Sequence, residues 1–307
     1  MIGASLNCRG VGKKGMSVFL TNLIRDQMLD FVGLQETIKK DYSQAFFRRI
    51  DPLNQFTWKW SPSVGRAGGI LGGFRASRFD VCDTEVSRYM VKVVLWDQKL
   101  QKKWCMINVY GAAQEKEKEE FLTDFSRVCS DHSLPLLVGG DFNILRFESD
   151  KNKKVKLGKW SDLFNSIIHL NELREIKMTG GQYTWSNNQA IPTLEKLDRF
   201  LMSKDWEDMF PLTTVHKLSR EMSDHCPLIL DTMEAGINKK RDFRFDKRWV
   251  QEETFLMRVS KIWRQPVKAR NSLEAFQCKL KKVKKDLKGW GANLRGTGYQ
   301  EKEIVID

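Results

Sequence analysis

The sequence predicts an α/β or α+β domain, with helices packed outside a β-sheet core and a basic helical extension at the C-terminal end. Short apolar runs, typical of buried strands, alternate up to Asp231 with longer segments that carry apolar residues at helical spacing. Helices interleaved with strands in this way pack as layers on the faces of a sheet. The 307 residues are enough for one large domain or two smaller ones.

The individual elements follow from the same two patterns. Six apolar runs predict buried strands: Ile2 to Leu6, Phe31 to Leu34, Met90 to Leu95, Trp104 to Val109, Leu134 to Val138 and Pro227 to Leu230. Three amphipathic segments predict helices: Met16 to Met28, Lys116 to Cys129 and Trp160 to Leu170. Four glycines surround a further predicted strand at a tight turn: Gly68, Gly69, Gly72 and Gly73.

The composition argues against several classes of protein. Hydrophobic residues make up 41% of the chain and charged residues 30%, a balance typical of globular rather than disordered proteins. No apolar run could span a bilayer and the N-terminus lacks signal-peptide features, so we expect no membrane partner and no secretion. The six cysteines include no close pair, which argues against a zinc site or a disulfide framework.

The net charge of +13 is concentrated in the last quarter of the chain. Residues 234–307 hold 19 Lys and Arg against 10 Asp and Glu, a net +9, and the preceding residues hold the other +4. A basic surplus suits a polyanionic partner such as nucleic acid. With a composition shift after Asp231, it predicts a domain over 1–232 followed by a basic linker and helical extension over 233–307.

The extension is predicted to contain an amphipathic basic helix, with Asn271 as its N-cap and Gly289 as its stop. Apolar residues recur at three- and four-residue steps: Leu273, Phe276, Leu280, Val283 and Leu287. Lysines occupy the opposite face: Lys279, Lys281, Lys282, Lys285 and Lys288. This face is either solvated or in contact with nucleic acid. The sequence indicates no obligate protein partner.

Polar residues stand at the ends of the predicted strands. They are Asn7 after the first, Glu36 after the second, Tyr110 after the fourth, Asp141 and Asn143 after the fifth, and Asp224 with His225 directly before the last. A packed sheet holds such groups in position, and sites in layered α/β folds are usually built this way. Each fragment alone is common in turns, so the prediction depends on the ordered set.

The chemistry of this set points to phosphodiester hydrolysis. Carboxylate and amide oxygens suit Mg²⁺ or Mn²⁺ rather than zinc. Cleavage requires a positioned water and neutralisation of the phosphoryl oxygens. A metal on Glu36 would supply Lewis acidity, Asp141 could orient or deprotonate the water, and Asn143 could hold it. His225, kept in one tautomer by an aspartate, could stabilise the developing negative charge.

Six stretches resemble the motifs of the endonuclease/exonuclease/phosphatase superfamily, which includes abasic-site endonucleases. They occur in the family's order within residues 1–232: Asn7-Cys8-Arg9-Gly10, Leu34-Gln35-Glu36-Thr37, Asn108-Val109-Tyr110, Gly140-Asp141-Phe142-Asn143, Leu197-Asp198-Arg199 and Ser223-Asp224-His225-Cys226-Pro227. The resemblance implies a four-layer sandwich of two packed mixed β-sheets flanked by helices. It also implies hydrolysis with Mg²⁺, or Mn²⁺, as cofactor.

A finer resemblance is to the endonuclease domain of plant non-LTR (LINE-type) retrotransposons. It is carried by the stretch from Asn7 to Gly10, by Tyr183-Thr184-Trp185-Ser186-Asn187 and by Leu197-Asp198-Arg199. Phe243-Arg244-Phe245 is similar to the connector that leads towards the reverse transcriptase. We therefore expect a free-standing or truncated copy of the endonuclease portion, acting on DNA in the nucleus or, as the alternative, located in the cytoplasm.

The resemblance also implies roles on the metal and DNA side of the site. Glu36 would be the principal metal ligand, with Asn7 in its shell and Asp224 completing the acidic cluster. Thr184 and Trp185 would lie on a loop near the bound strand, where Trp185 either stacks on a base or packs in the core.

A second group of residues would act on the scissile phosphate. Tyr110 would contact it, and Asp141 would position or activate the attacking water beside Asn143. Asp198 would pair with His225, which would contact a phosphate oxygen.

Arg9 departs from the pattern, because many family members have an acidic or amide residue there. The arginine removes a group from the metal shell and offers a phosphate contact instead, which bears on metal stoichiometry.

Two other functions stay open at this point. One is a phosphatase or phosphodiesterase of the same fold acting on inositol phosphate, lipid or RNA, and the other is an inactive nucleic-acid-binding remnant of a retroelement.

Overall fold

A computed structural model describes residues 1–65, 67–130, 133–233, 247–267 and 271–303. The chain divides into two compact units, Met1–Ile237 and Asn238–Asp307. The predicted connector at Phe243-Arg244-Phe245 lies outside the described residues.

The described strands all belong to the first unit. In chain order they are β1 Ile2–Asn7, β2 Phe31–Gln35, β3 Phe56–Val64, β4 Ala67–Arg75, β5 Phe79–Val86, β6 Met90–Asp97, β7 Lys102–Tyr110, β8 Leu136–Asp141, β9 Arg174–Glu175, β10 Met178–Thr179, β11 Trp185–Ser186, β12 Leu194–Glu195, β13 Asp198–Met202, β14 Thr214–Lys217 and β15 Leu228–Asp231. The helices are α1 Met16–Asp26, α2 Gln44–Ile50, α3 Lys118–Ser130, α4 Lys159–Leu170, α5 Lys204–Met209, α6 Glu253–Trp263 and α7 Ser272–Glu303.

Two mixed sheets form the centre of the first unit. The seven-stranded sheet has the order β10-β14-β15-β1-β2-β4-β3, and the six-stranded sheet has the order β5-β6-β7-β8-β13-β9. Each contains a parallel pair, β1 with β2 and β7 with β8, among antiparallel neighbours. β11 and β12 form a separate two-stranded sheet.

Three layers of buried side chains hold this arrangement together. Between the sheets, Phe31 and Leu228 of the first sheet belong to one cluster with Trp104 and Phe200 of the second. Outside the first sheet, residues of α1 and α2 are buried with residues of β1 and β2. Outside the second sheet, residues of α3 and α4 are buried with residues of β7 and β8. The predicted four-layer sandwich is confirmed.

The predicted strands and helices of this unit are all present, with ends that move by up to a few residues. The sequence reading missed several edge strands, and their composition explains why. β3 contains Pro62, which cannot donate to a ladder and is tolerated because β3 lies at the end of its sheet. β5 alternates apolar with charged residues and is likewise an edge strand.

The second unit contains α6, absent from the sequence prediction, and the predicted basic helix α7. Asn271 caps α7 as expected, since its side chain accepts a hydrogen bond from the backbone N–H of Glu274 at 2.9 Å. The predicted stop at Gly289 is wrong, because α7 continues to Glu303. Trp290, one residue beyond that glycine, packs against Trp249. This contact outweighs the cost of about 1 kcal/mol for a glycine inside a helix, so the helix continues.

The apolar seam of α7 is covered by its own unit only in part, since Leu273, Phe276 and Leu280 are exposed. Val283 and Leu287 are buried together with Phe255 and Ile262 of α6. Within the described part of the chain, no helix combines the length and the apolar character needed to cross a membrane.

Candidate active site

Strand register brings the predicted residues to one edge of the two sheets. Tyr110 at the end of β7 lies opposite Asp141 at the end of β8. Asp198, the first residue of β13, lies opposite Asp141 on its other side. In the first sheet, Asn7 at the end of β1 pairs with the last residue of β2, which directly precedes Glu36. Residues far apart in the chain thus emerge at neighbouring strand ends.

Asp141 is the point at which the two sheets meet. Its carboxylate is fully buried and accepts a hydrogen bond on each oxygen. Asn7 Nδ2, from the first sheet, donates to Oδ2 at 2.8 Å, and the backbone N–H of Asn143 donates to Oδ1 at 3.0 Å. A buried carboxylate needs such donors, so these contacts hold its orientation.

His225 lies between two buried carboxylates. Its Nδ1 is 2.8 Å from Asp198 Oδ2, and its Nε2 is 3.8 Å from Asp141 Oδ2, which is beyond hydrogen-bond distance. Burial disfavours the charged ring, but Asp198 and Asp141 outweigh it and raise the pKa of His225 to about 9. Burial, with the nearby Asp198, raises the pKa of Asp141 to about 6 although His225 and Asn7 act against it. The ring is therefore an imidazolium at neutral pH.

Asp141, Asp198 and His225 form one hydrogen-bonded cluster. Donor atoms of the three residues lie within 4.8 Å of one another, close enough for a metal ion. In this structure Asp198 Oδ2 is bonded to His225 Nδ1, and Asp141 Oδ2 accepts from Asn7 Nδ2. Because these oxygens already have partners, we interpret the three residues as a hydrogen-bonded group that acts beside the metal rather than as its ligands.

A second set of oxygen ligands lies next to this cluster. Glu36, Asp224 and Asn7 converge on Arg9: Arg9 Nη1 is 2.6 Å from Asp224 Oδ2, Arg9 Nε is 3.8 Å from Glu36 Oε1, and the backbone N–H of Arg9 donates to Asn7 Oδ1 at 3.0 Å. Two carboxylates beside the guanidinium and an amide oxygen on the backbone N–H of the same residue are oxygen ligands of the kind that Mg²⁺ and Mn²⁺ prefer. The donor set therefore fits a divalent metal, and the guanidinium is the cation it holds here.

The electrostatics of Asp224 reflect that arrangement. Burial alone would raise its pKa, but the hydrogen bond from Arg9, the charge of His225 and the hydrogen bond from Trp185 lower it overall. Trp185 Nε1 donates to Asp224 Oδ2 at 2.9 Å. Its indole ring is half-buried, so it does not pack fully in the core, and stacking on a base stays a prediction.

Tyr110 and Asn143 lie on the β7 side of Asp141, since Tyr110 pairs with Asp141 and Asn143 bonds to Gly111. Burial raises the pKa of Tyr110, and the nearby Glu36 and Asp141 carboxylates raise it further, so its hydroxyl keeps its proton and can donate. Asn143 has a left-handed backbone (φ 51°), and its Nδ2 donates to the carbonyl of Gly111 at 2.8 Å. Glu36 (φ 48°) has the same backbone conformation, which costs roughly 1 kcal/mol at a non-glycine residue.

Thr184 lies on the loop before β11, and its contacts are with the protein itself. The residue is fully buried, so its side chain is not on a surface that a bound strand could reach. Its hydroxyl accepts hydrogen bonds from the backbone N–H groups of Leu197 and Asp198, both at 3.1 Å. Thr184 therefore positions Asp198, and the sequence missed this because the two residues meet only through the tertiary fold.

Two further residues of the motifs, Ser223 and Gln35, support the site, and the sequence assigned them no role. The hydroxyl of Ser223 donates to the carbonyl of Asn7 at 2.7 Å and accepts from the backbone N–H of His225 at 3.2 Å. Its place directly before an Asp-His pair is the signal that identifies it, since a serine hydroxyl often bonds the backbone two residues on. The amide of Gln35 donates to Asn108 Oδ1 at 2.6 Å and joins the two sheets beneath the site.

The chain is related to proteins of known type. Residues 4–225 match the Endonuclease/Exonuclease/phosphatase family. The chain belongs to this family. Its members are nucleases and phosphatases, so membership identifies the chain as a phosphate-ester hydrolase. The chain matches no curated protein sequence.

Solved structures share the family fold at low sequence identity. The endonuclease domain of TRAS1, a telomere-specific non-LTR retrotransposon, is 14% identical with a TM-score of 0.59, covering 76% of this chain and 99% of that domain. The 3′ phosphatase NExo from Neisseria, bound to a product DNA hairpin, is 18% identical with a TM-score of 0.60, covering 75% and 98%. An AP endonuclease from Archaeoglobus fulgidus is 14% identical with a TM-score of 0.57, covering 75% and 98%. These identities establish the fold alone.

Proposed function

We propose that this family member is a Mg²⁺-dependent DNA endonuclease that nicks one strand by attack of a water held at Asp141. The observation that carries the proposal is the hydrogen-bonded set formed by Asn7 with Asp141 and by Asp198 with His225. In this set a base, Asp141, and an imidazolium, His225, lie within 4 Å of each other at the shared edge of the two packed sheets.

Asp141 holds and deprotonates the attacking water. A pKa of about 6 leaves the carboxylate ionised at neutral pH while keeping its proton affinity close to that of a useful general base. The hydrogen bonds from Asn7 Nδ2 and from the backbone N–H of Asn143 orient the carboxylate, so no reorganisation is needed when the water reacts.

His225 and Tyr110 neutralise charge on the phosphoryl group. Asp198 keeps His225 protonated and fixes the ring through Nδ1, which leaves the Nε2 proton directed at the site for a phosphoryl oxygen. The hydroxyl of Tyr110 supplies a second neutral donor. Donors fixed in a buried site stabilise developing negative charge far better than donors in water.

Glu36, Asn7 and Asp224 would hold the metal. When bound there, Mg²⁺ supplies Lewis acidity to a phosphoryl oxygen and charge neutralisation for the leaving oxygen. The site has four carboxylates and two cationic side chains (Arg9 and His225), so it carries an excess of negative charge that a divalent cation would balance.

Exposed lysines on the loops that follow the site strands favour DNA as the substrate. The loops after β1, β2 and β8 carry Lys13, Lys14, Lys40, Lys153, Lys154 and Lys156. Lysines at such positions bind the phosphates of a polyanion in a salt-dependent way. Trp185, half-buried beside Asp224, offers a surface on which a base can stack.

Within DNA nucleases, we favour a LINE-type nicking enzyme of plant origin, located in the nucleus. The motif resemblance and the retrotransposon origin of TRAS1 support it. A phosphatase is the second candidate, because NExo is a 3′ phosphatase of the same fold.

Supercoiled plasmid tests the proposal. We expect Mg²⁺ or Mn²⁺ to support conversion to open circles and EDTA to abolish it. Asp141→Ala and His225→Ala should each reduce nicking by about 10²-fold or more. Asp162→Ala and His169→Ala, which change the same residue types on the exposed face of α4, should leave it unchanged.

The same protein is incubated with a 3′-phosphorylated oligonucleotide and with inositol phosphates. Release of phosphate without plasmid nicking would replace the endonuclease by the phosphatase. Nicking retained by either site variant would overturn the mechanism, and no turnover of any substrate would favour an inactive remnant.

A further inference from the structure

The guanidinium of Arg9 occupies the space between two carboxylates that belong to different parts of the chain. Nη1 lies 2.6 Å from Asp224 Oδ2 and Nε lies 3.8 Å from Glu36 Oε1. Within the described residues, Arg9 is the one cationic side chain within 4 Å of either carboxylate.

The backbone fixes Arg9 in this place. The segment after β1 continues alongside the segment after β2: Cys8 N–H donates to the carbonyl of Gln35 at 2.9 Å, and Gly10 N–H donates to the carbonyl of Glu36 at 2.7 Å. Arg9 lies between these two hydrogen bonds with a left-handed backbone (φ 48°). The two hydrogen bonds therefore set the position of the Arg9 backbone beside Glu36.

We propose that Arg9 is the resident cation of the metal position in the DNA-free protein, and that it must leave before a divalent metal binds. A phosphate of bound DNA then takes the guanidinium, so DNA and metal strengthen each other's binding. This inference rests on the proposed function, since it assigns the metal to Glu36 and Asp224.

Competition follows from the shared ligand atoms. Asp224 Oδ2 already accepts from Arg9 and from Trp185 Nε1, so a metal on that oxygen would have to replace the guanidinium. Two cations so close together also repel each other. The apparent metal affinity is therefore reduced by the fraction of molecules in which Arg9 is in place.

Release of Arg9 is feasible because its side chain is 51% exposed, although Asp224 is only 8% exposed. A guanidinium also matches phosphate geometry through two parallel N–H donors, which a lysine cannot do. DNA at the site thus offers Arg9 a better partner than the carboxylates it leaves.

The test measures Mn²⁺ binding to the full chain without DNA, by isothermal titration and by the loss of the free Mn²⁺ EPR signal. We expect Arg9→Gln to bind Mn²⁺ at least about tenfold more tightly than the wild type, within the usual range of coupling between sites. Arg25→Gln is the matched control, because Arg25 is exposed and also pairs with an aspartate, Asp26, at 2.9 Å. It should change Mn²⁺ affinity by less than about twofold.

A second arm adds a nuclease-resistant phosphorothioate duplex. The wild type should then gain Mn²⁺ affinity by about fivefold or more, and Arg9→Gln should gain clearly less. Thermal unfolding checks that the variants fold. If Arg9→Gln does not fold, Arg9→Lys replaces it in the test. The lysine keeps the charge but has a shorter side chain and lacks the Nε group that faces Glu36. The Mn²⁺ affinity of Arg9→Lys should still exceed that of Arg25→Gln.

Equal or weaker Mn²⁺ affinity in folded Arg9→Gln, or in Arg9→Lys where that variant is needed, overturns the inference. So does equal coupling to the duplex in wild type and variant. These readouts do not depend on turnover. If Arg9→Gln binds Mn²⁺ more tightly than the wild type but the wild type nicks no plasmid, the inference stands and the proposed function fails. If the wild type nicks plasmid but Arg9→Gln binds Mn²⁺ no more tightly, the proposed function stands and the inference fails.

Discussion

Asp198→Asn tests whether His225 acts as an imidazolium held by a buried carboxylate. The substitution preserves the size of the side chain and removes its charge, 2.8 Å from His225 Nδ1. The pKa of His225 stands at about 9 against an ordinary 6.5, which corresponds to about 3 kcal/mol of net stabilisation of the charged ring. Asp198 contributes more of this than Asp141 does, so we expect the pKa of His225 to fall by about one to two pH units.

Two measurements follow this change. Proton NMR of the imidazole C–H groups reports the titration directly, since the chain has four histidines and His225→Ala identifies the signal. In the nicking assay, kcat/KM of the wild type should rise as Asp141 loses its proton near pH 6 and fall as His225 loses its proton near pH 9. Asp198→Asn should move the alkaline limb to lower pH and reduce the maximum by about 10²-fold or more.

The control is Asp97→Asn, which also removes a fully buried carboxylate paired with a cation, Arg78, at 2.9 Å. It should lower the unfolding temperature and leave the pH profile in place. An alkaline limb and an NMR titration of His225 that do not move in Asp198→Asn would refute our account of the ring.

The remaining predictions concern positioning residues. Thr184→Val removes the hydroxyl that accepts from the N–H groups of Leu197 and Asp198. We expect the unfolding free energy to fall by about 1–3 kcal/mol, and kcat to fall rather than KM to rise. Thr184→Ser, which keeps the hydroxyl, should restore both quantities. Gly111→Ala places a Cβ 2.2 Å from the carbonyl oxygen of Phe142, so that segment must shift and take Asn143 with it. We expect Gly111→Ala to lower both the melting temperature and the nicking rate, and wild-type values of both would contradict this role of Gly111.

Part of the fold could be predicted because its signals are local. The strands β1, β2, β7 and β8 are buried apolar runs, and their ends are marked by a change to polar residues. The helices that cover them show helical periodicity. The edge strands β3 and β5 carry proline or charged residues that a central strand would exclude, so their pairing is visible only once their neighbours are known.

The candidate site residues could be predicted from the sequence, because their order at successive strand ends is a one-dimensional property. The contacts that each of them makes could not be predicted in that way. Arg9 and Asp224 are 215 positions apart, and Thr184 reaches Asp198 through the pairing of two loop segments. Such contacts depend on strand register and on how the two sheets pack, and neither is encoded in the local pattern of apolar and polar residues.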